Sequence, residues 1–373
     1  MRALTAILIL QAASVYAQTD PDELIHYRIL PHDTDPLISA FASDVHQAFY
    51  NPTSQPQHTL LVHLVGSGDT TGSTTFFPVL AANNGFHCIN LDYRNGVSVQ
   101  SACADIPDTT CHLNWRKEVI EGIDYSAEIF VNEANSIYNR LFRLLQYLDI
   151  HEPTQNWGQF LSDGSIQWDH IIISGHSQGG GHAAVIGISN PVRRVLMFAS
   201  PNDHIDTLHI NAPWSKLLHL AADSDYYSFN AVHDEIADYW KQYEHSQSLG
   251  QGAYGDTVPA DDASYPYGHS RQLYTLQVAP SGFPIKLTHD IMIRDFETPV
   301  DIYGKPVFAC VWLYMLGINC DPLVAMTDIP SVQPERQLLR ILDLLGRETE
   351  FQPNEILIYQ FSDGSTEKKI IIQ

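Results

Sequence analysis

Short apolar runs alternate with amphipathic stretches along most of the chain. Residues 59–72, 86–94, 170–175 and 193–201 each contain an apolar run that ends in glycine or a polar residue. Such runs predict strands, because a strand covered on both faces reads as continuously hydrophobic. Residues 126–148 place apolar side chains three and four apart, which predicts an amphipathic helix. The alternation predicts an α/β fold with a mostly parallel sheet and helices on both faces.

The second half of the chain continues this pattern with one interruption. Residues 216–223 and 283–290 predict two further strands, and residues 306–317 predict a closing apolar helix. Residues 229–282 are rich in Tyr, Asp, Gly and Pro. A long segment of this composition indicates an insertion over the edge of the sheet, which we expect to act as a lid.

Both ends of the chain differ from the middle. Residues 1–17 combine one Arg, a short apolar run and small residues at Val15 and Ala17, which predicts a signal peptide cleaved before Gln18. The run is too short to cross a bilayer, and no other stretch is long and apolar enough, so we expect no integral membrane span. Residues 331–373 predict a small β module, in which Asp363-Gly364 favours a hairpin turn. The main domain is therefore expected over residues 18–330.

Composition narrows the possible partners and the compartment. The chain has 373 residues, of which 44% are hydrophobic and 17% charged, so it can bury a sizeable core. A net charge of −23 disfavours nucleic acid as a partner. Export would permit disulfides. We expect the short-range pairs Cys103–Cys111 and Cys310–Cys320, with Cys88 as a packed free thiol.

The strongest chemical signal is "IIISGHSQGGGHAA", which begins at Ile171. It contains Gly-x-Ser-x-Gly between a predicted strand and a predicted helix, with Ser177 at the centre. Glycine at 175 and 179 fits a sharp strand-to-helix turn that would leave no room for side chains there. The pattern predicts a nucleophile elbow, in which the Ser177 hydroxyl stands above the sheet. His176 is expected to pack or to form a hydrogen bond.

Residues 59–317 resemble the α/β-hydrolase fold in strand order, elbow and following segments. The stretches "SGHSQGGGHAA", "MFASPND" and "YPYGHSRQL" are similar to a little-characterised group of bacterial and fungal α/β-hydrolase-like proteins. The resemblance implies the order nucleophile, acid, histidine, with each residue after a later strand. It places the base at His289, just past an apolar run. The acid is placed at Asp223, with Asp225 and Asp203 as alternatives.

The resemblance also implies an oxyanion hole and no cofactor. The backbone N–H of Gln178 is one expected donor, and that of Ser67 in the glycine-rich loop at 66–68 is the other. Metal chemistry is not expected, since His204, Asp206 and His209 do not have the spacing of a metal-binding helix. The loop also lacks the Lys-Ser/Thr of a nucleotide-binding P-loop.

The tail resembles the C-terminal sorting domain of bacterial type IX secretion. The similar pieces are "DLLGRE", "LIYQFSDGS" and "EKKIIIQ". The resemblance implies recognition by the secretion machinery after export to the periplasm, and then release or attachment at the cell surface. Together these features predict a secreted serine hydrolase that acts on a small-molecule or polymer ester. A serine peptidase and a catalytically silent binding or adhesion protein on the same scaffold are the alternatives.

Overall fold

The computed structural model describes most of the predicted main domain and part of the tail. The described residues are 23–38, 44–281, 285–320, 338–342, 347, 349, 356–361 and 366–370. The predicted signal peptide and the predicted turn at 363–364 lie outside these residues.

The chain alternates strands and helices through the main domain. The strands are β1 Ile25–Ile29, β2 His46–Tyr50, β3 Leu60–Leu64, β4 His87–Asn90, β5 Leu161–Ser162, β6 Ser165–Ile166, β7 Ile171–His176, β8 Arg194–Phe198, β9 His204–Ile205, β10 Ile210–Asn211, β11 Tyr226–Ala231, β12 Val258–Pro259, β13 Gln272–Thr275, β14 Leu338–Leu342, β15 Ile356–Phe361 and β16 Thr366–Ile370. The helices are α1 Pro31–Thr34, α2 Phe76–Asn83, α3 Val99–Cys103, α4 Cys111–Glu121, α5 Ile137–His151, α6 Gln178–Ser189, α7 Tyr239–Ser248 and α8 Ala309–Leu316.

A nine-stranded sheet forms the centre, in the order β1-β2-β4-β3-β7-β8-β11-β13-β12. Every neighbouring pair from β4 to β12 is parallel, whereas β2 runs antiparallel to β1 and β4. Helices α4, α5 and α6 pack on one face, and α2 and α8 pack on the other. The predicted α/β class and the covered, mostly parallel sheet are confirmed.

The order of the strands reverses beside β3. After β3 the chain passes through α2 to β4 on one side, and β7 then lies on the other side of β3. Ligands in open α/β sheets bind where the strand order reverses, outside the carboxyl ends of the strands. Ser67 follows β3 and Ser177 follows β7, so both stand at this switch point.

Several predicted elements take different bounds. The helix predicted over 126–148 begins only at Ile137, where the Ser136 hydroxyl caps it by accepting the N–H of Asn139. Upstream, the Glu118 carboxylate accepts three backbone N–H groups, from Tyr125, Ser126 and Val131. These bonds hold the preceding segment as a loop and compete with helix formation.

The strands predicted at 216–223 and 283–290 are not observed among the described residues. Leu218 in the first run is 97% exposed, and the sheet strand is β11, which begins three residues after Asp223. Residues 285–287 are irregular and lead into a 3₁₀ turn at Thr288–Asp290. The insertion predicted at 229–282 begins inside β11 and contains the sheet strands β12 and β13, with α7 between β11 and β12. Much of this segment therefore belongs to the sheet and is not an insertion over its edge.

The cysteines pair as expected. Disulfides join Cys103 to Cys111 and Cys310 to Cys320, and Cys88 is a buried free thiol. Near the C-terminus, β14, β15 and β16 form a three-stranded antiparallel sheet. Within the described part of the chain, none of the helices combines the length and the apolar character needed to cross a membrane.

Candidate active site

Ser177 occupies a strained turn between β7 and α6. Its backbone has φ 52° and ψ −117°, a left-handed conformation that costs a non-glycine residue about 1–3 kcal/mol. The N–H of Ser177 donates to the carbonyl of Phe198 at 2.8 Å, which fixes the turn to β8. Helix α6 starts at the next residue, so its free N–H groups and the positive end of its dipole lie beside the hydroxyl.

The glycines around Ser177 allow close approach of the backbone. A Cβ at Gly175 would lie 2.2 Å from the backbone of Gly179, and a Cβ at Gly179 would lie 2.0 Å from the carbonyl oxygen of Leu64. A Cβ at Gly181 would lie 2.3 Å from the guanidinium of Arg116. The glycines are thus explained by the close packing of helix α6 against β3, β7 and the buried side chain of Arg116.

An imidazole–carboxylate pair stands at the same edge of the sheet. Nδ1 of His289 lies 2.7 Å from Oδ2 of Asp234. Burial raises the pKa of Asp234, but hydrogen bonds from His289 and from the N–H groups of Ala237 and Ile236 outweigh it, so the pKa lies below its ordinary value. The carboxylate is therefore ionised and can only accept, which assigns the proton to Nδ1 and leaves Nε2 of His289 as the basic nitrogen.

The backbone of His289 is also held on both sides. Its N–H donates to Oε2 of Glu235 at 3.2 Å, and the N–H of Thr288 donates to Oε1 of the same carboxylate at 3.1 Å. Its carbonyl accepts from Nε2–H of His176 at 3.0 Å, and the two imidazole rings have centroids 4.9 Å apart. The histidine is thereby anchored against the residue that precedes Ser177.

The three carboxylates proposed from the sequence lie elsewhere. Asp223 precedes β11, at the amino end of the strand, and its Oδ1 lies 3.1 Å from Nδ1 of His219. Asp225 stands at the same end. Asp203 is buried and forms a two-point ion pair with Arg116 at 2.6 and 2.7 Å. The carboxylate on His289 is instead Asp234, which follows the carboxyl end of β11.

The loop after β3 packs against the turn at Ser177. A Cβ at Gly66 would lie 3.4 Å from Cβ of Ser177. The hydroxyl of Ser67 donates to Oε1 of Gln178 at 2.9 Å, and the N–H of Val99 donates to the same oxygen at 2.9 Å. Asn95 further pins the loop by donating to the carbonyl of Gly66 at 2.9 Å. Residues 67 and 178 are thus joined by a side-chain hydrogen bond beside Ser177.

A buried ion pair supports the start of helix α6. Nη1 of Arg116 donates to the carbonyl of Gln178 at 2.9 Å, while its other nitrogens bind Asp203. Burial raises the pKa of Asp203, but Arg116 outweighs it and holds the pKa far below the ordinary value. Nε1 of Trp214 donates to the same carboxylate at 2.8 Å. Arg116 therefore joins the first residue of helix α6 to the buried carboxylate of Asp203.

One group of side chains has the composition of a metal site. Potential ligand atoms of His176, His289 and Asp290 lie within 4.8 Å of one another. These groups already have partners, because His176 binds the carbonyl of His289, His289 binds Asp234, and Asp290 binds Arg294 at 2.8 Å. Arg294 already supplies a positive charge beside Asp290, so this arrangement needs no cation to hold it together.

Comparisons with known proteins give no family for this chain. No protein-family model matches it, and no curated protein matches it either. The geometry alone defines what the site can do. A hydroxyl on a strained turn, a histidine ring oriented by a carboxylate and the backbone N–H groups at the start of a helix together can support nucleophilic attack on a carbonyl.

Sequence reasoning missed Asp234 and Glu235. Both follow β11, Tyr226–Ala231, in which residues 227–230 alternate aromatic and polar side chains and which the apolar pattern does not predict as a strand. Asp234 lies three residues beyond the end of that strand. A search for a carboxylate after every β-prone run, including those with Tyr, Ser and Asn, would have found it.

Proposed function

We propose that this chain is a serine hydrolase that cleaves carboxylic esters through an acyl-enzyme. Ser177 attacks the ester carbonyl, Nε2 of His289 accepts the hydroxyl proton and returns it to the leaving alcohol, and Asp234 keeps the imidazole in the required tautomer. Water then attacks the acyl group by the same proton transfers. The order Ser177, Asp234, His289 along the chain is that of α/β-hydrolases.

Oxyanion stabilisation is assigned to the backbone N–H groups of Gln178 and Ser67. The first belongs to the free amino end of helix α6, and the second lies in the loop that packs on Ser177. The chemistry needs no cofactor. The observation that carries the proposal is the delivery of an ordered His289–Asp234 pair to the switch point where Ser177 stands on its strained turn.

A fluorophosphonate probe tests the proposal, because it phosphonylates only a serine that is activated as a nucleophile. We expect covalent labelling of the wild type, with the label on Ser177, and no labelling of Ser177→Ala. A folded wild-type protein that resists the probe and hydrolyses no p-nitrophenyl ester would overturn the enzymatic proposal and favour a binding protein. A series of p-nitrophenyl esters with increasing acyl length would then define the substrate class.

We also propose that the protein acts outside the cell. Cleavage after Ala17 would remove the signal peptide, and the bacterial type IX secretion machinery would recognise residues 331–373. The three-stranded sheet of β14–β16 agrees with a small β module there. Mass spectrometry of secreted protein should give Gln18 as the first residue, and removal of residues 331–373 should leave the protein in the periplasm. Unchanged secretion of the truncated chain would contradict this role of the tail.

A further inference from the structure

His176 links the two segments that carry the reacting groups. It is the last residue of β7 and the neighbour of Ser177, and its side chain is only 2% exposed. We propose that His176 is a positioning residue, whose Nε2–H holds the backbone carbonyl of His289 and thereby keeps the imidazole of His289 in line with Ser177. This inference rests on the proposed hydrolase function.

The surroundings of His176 favour its positively charged form. Oδ1 of Asp290 lies 3.5 Å from Nε2, and Oδ2 of Asp69 lies 3.8 Å from Nδ1. Arg294 binds both carboxylates, at 2.8 Å to Asp290 and 3.3 Å to Asp69. Burial lowers the pKa of His176, but the two carboxylates outweigh it, so the pKa lies above its ordinary value. A charged donor makes a stronger hydrogen bond to the carbonyl than a neutral one.

The contact is placed where a small displacement matters. His289 lies 113 residues beyond His176 and sits in a one-turn 3₁₀ segment that follows irregular backbone. Glu235 holds the N–H side of this turn, and His176 holds its carbonyl side. Without His176 the turn can tilt about the Glu235 contact. A shift of about 1 Å in a reacting group can reduce catalysis by about 10²-fold.

An isosteric pair of substitutions separates the hydrogen bond from packing. The amide nitrogen of Gln in His176→Gln can take the place of Nε2 and still donate to the carbonyl, whereas His176→Met fills similar space without a donor. His176→Asn is a second test without a donor at the Nε2 position, because its amide ends near the position of Nδ1 and cannot reach the carbonyl of His289. The fluorophosphonate labelling rate and the kcat and KM for p-nitrophenyl butyrate are measured on folded, full-length protein.

His87→Met is the matched control for losing a buried histidine. Nε2 of His87 lies 2.7 Å from the carbonyl of Gln155, which is the same kind of contact, but His87 stands at the amino edge of the sheet. We expect it to lower the melting temperature while the folded protein keeps its labelling rate.

The expected pattern is a loss in kcat with rescue by Gln. His176→Met and His176→Asn should lower kcat and the labelling rate by about 10- to 100-fold, with KM within about 3-fold, and His176→Gln should recover most of the loss. Suppose that the wild type is labelled at Ser177. If His176→Met is then labelled as fast as the wild type, or if His176→Gln is as slow as His176→Met, the positioning role is wrong, while the hydrolase proposal stands. If the wild type is not labelled at all, the hydrolase proposal fails and this role falls with it.

Discussion

Replacement of Asp234 by Asn tests the assignment of the acid most directly. Oδ1 of Asp234 accepts the N–H groups of Ile236 and Ala237 at 2.8 and 2.7 Å, and Oδ2 accepts from His289 and from Nε2 of Gln242. In Asp234→Asn the remaining oxygen is expected to stay on the two backbone groups. The new NH₂ group then faces His289, so the imidazole must present its lone pair there and its N–H toward Ser177.

The wrong tautomer removes the base without disturbing the fold. We expect kcat to fall by about 10³- to 10⁴-fold, which corresponds to about 4–5.5 kcal/mol in the activation free energy. Steady-state hydrolysis of p-nitrophenyl butyrate gives kcat, and fluorophosphonate labelling gives an independent rate. Circular dichroism should show that the variant is folded, because the backbone contacts of residue 234 remain.

Asp223→Asn is the matched control. It makes the same chemical change at the carboxylate favoured by the sequence, where the side chain is 55% exposed and contacts His219. We expect its kcat to stay within about 2-fold of the wild type. The reasoning is refuted if Asp234→Asn keeps kcat within 10-fold of the wild type, or if Asp223→Asn loses as much activity as Asp234→Asn.

Three further predictions concern stability. In urea titrations the free energy of unfolding of Ser177→Gly should exceed that of Ser177→Ala by about 1 kcal/mol, because glycine relieves the strained turn. Equal free energies for the two variants would argue against strain. Gly179→Ala should cost more than about 3 kcal/mol, because its Cβ meets a β3 carbonyl, whereas Gly96→Ala has open space and should cost less than about 0.5 kcal/mol in the same assay. Burial lowers the pKa of His63 to about 3 and that of His245 to about 4. Since the unfolded chain binds more protons below about pH 6.5, the free energy of unfolding should fall between about pH 6.5 and 4, by on the order of 3 kcal/mol from His245 alone, and a flat profile would contradict this.

The parts of the site that are local in sequence could be predicted. Gly-x-Ser-x-Gly covers five consecutive residues, so the turn can be recognised from the sequence alone, although Gly179 also makes room for the carbonyl of Leu64 in β3. The predicted helix start at Gln178 also agrees with the structure. His289 is predicted as the base because it stands just past an apolar run, in the place that the resemblance implies, and this assignment stays a prediction.

The contact between His289 and Asp234 could not be predicted, because hydrophobicity placed a strand at the wrong residues. Residues 216–223 read as a strand, yet their leucines are exposed, while β11 buries polar residues inside the sheet. Ser228 donates to Gln251 at 2.8 Å, and Asn230 accepts the N–H of Ser200 at 3.1 Å. Buried polar groups are tolerated when each has a partner, and those partners lie far along the chain. A one-dimensional pattern therefore cannot distinguish such a strand from a loop.

The edge strand β12 affects whether separate copies of the protein can pair through their sheets. It is only two residues long and ends in Pro259, which has no N–H to offer. The next N–H, that of Ala260, is already used by the carbonyl of Tyr274 at 2.7 Å. A strand from another molecule would find almost no donors along this border, so templated growth of fibrils from it is disfavoured. Even at high protein concentration, identical chains would therefore gain few hydrogen bonds by pairing through this edge strand.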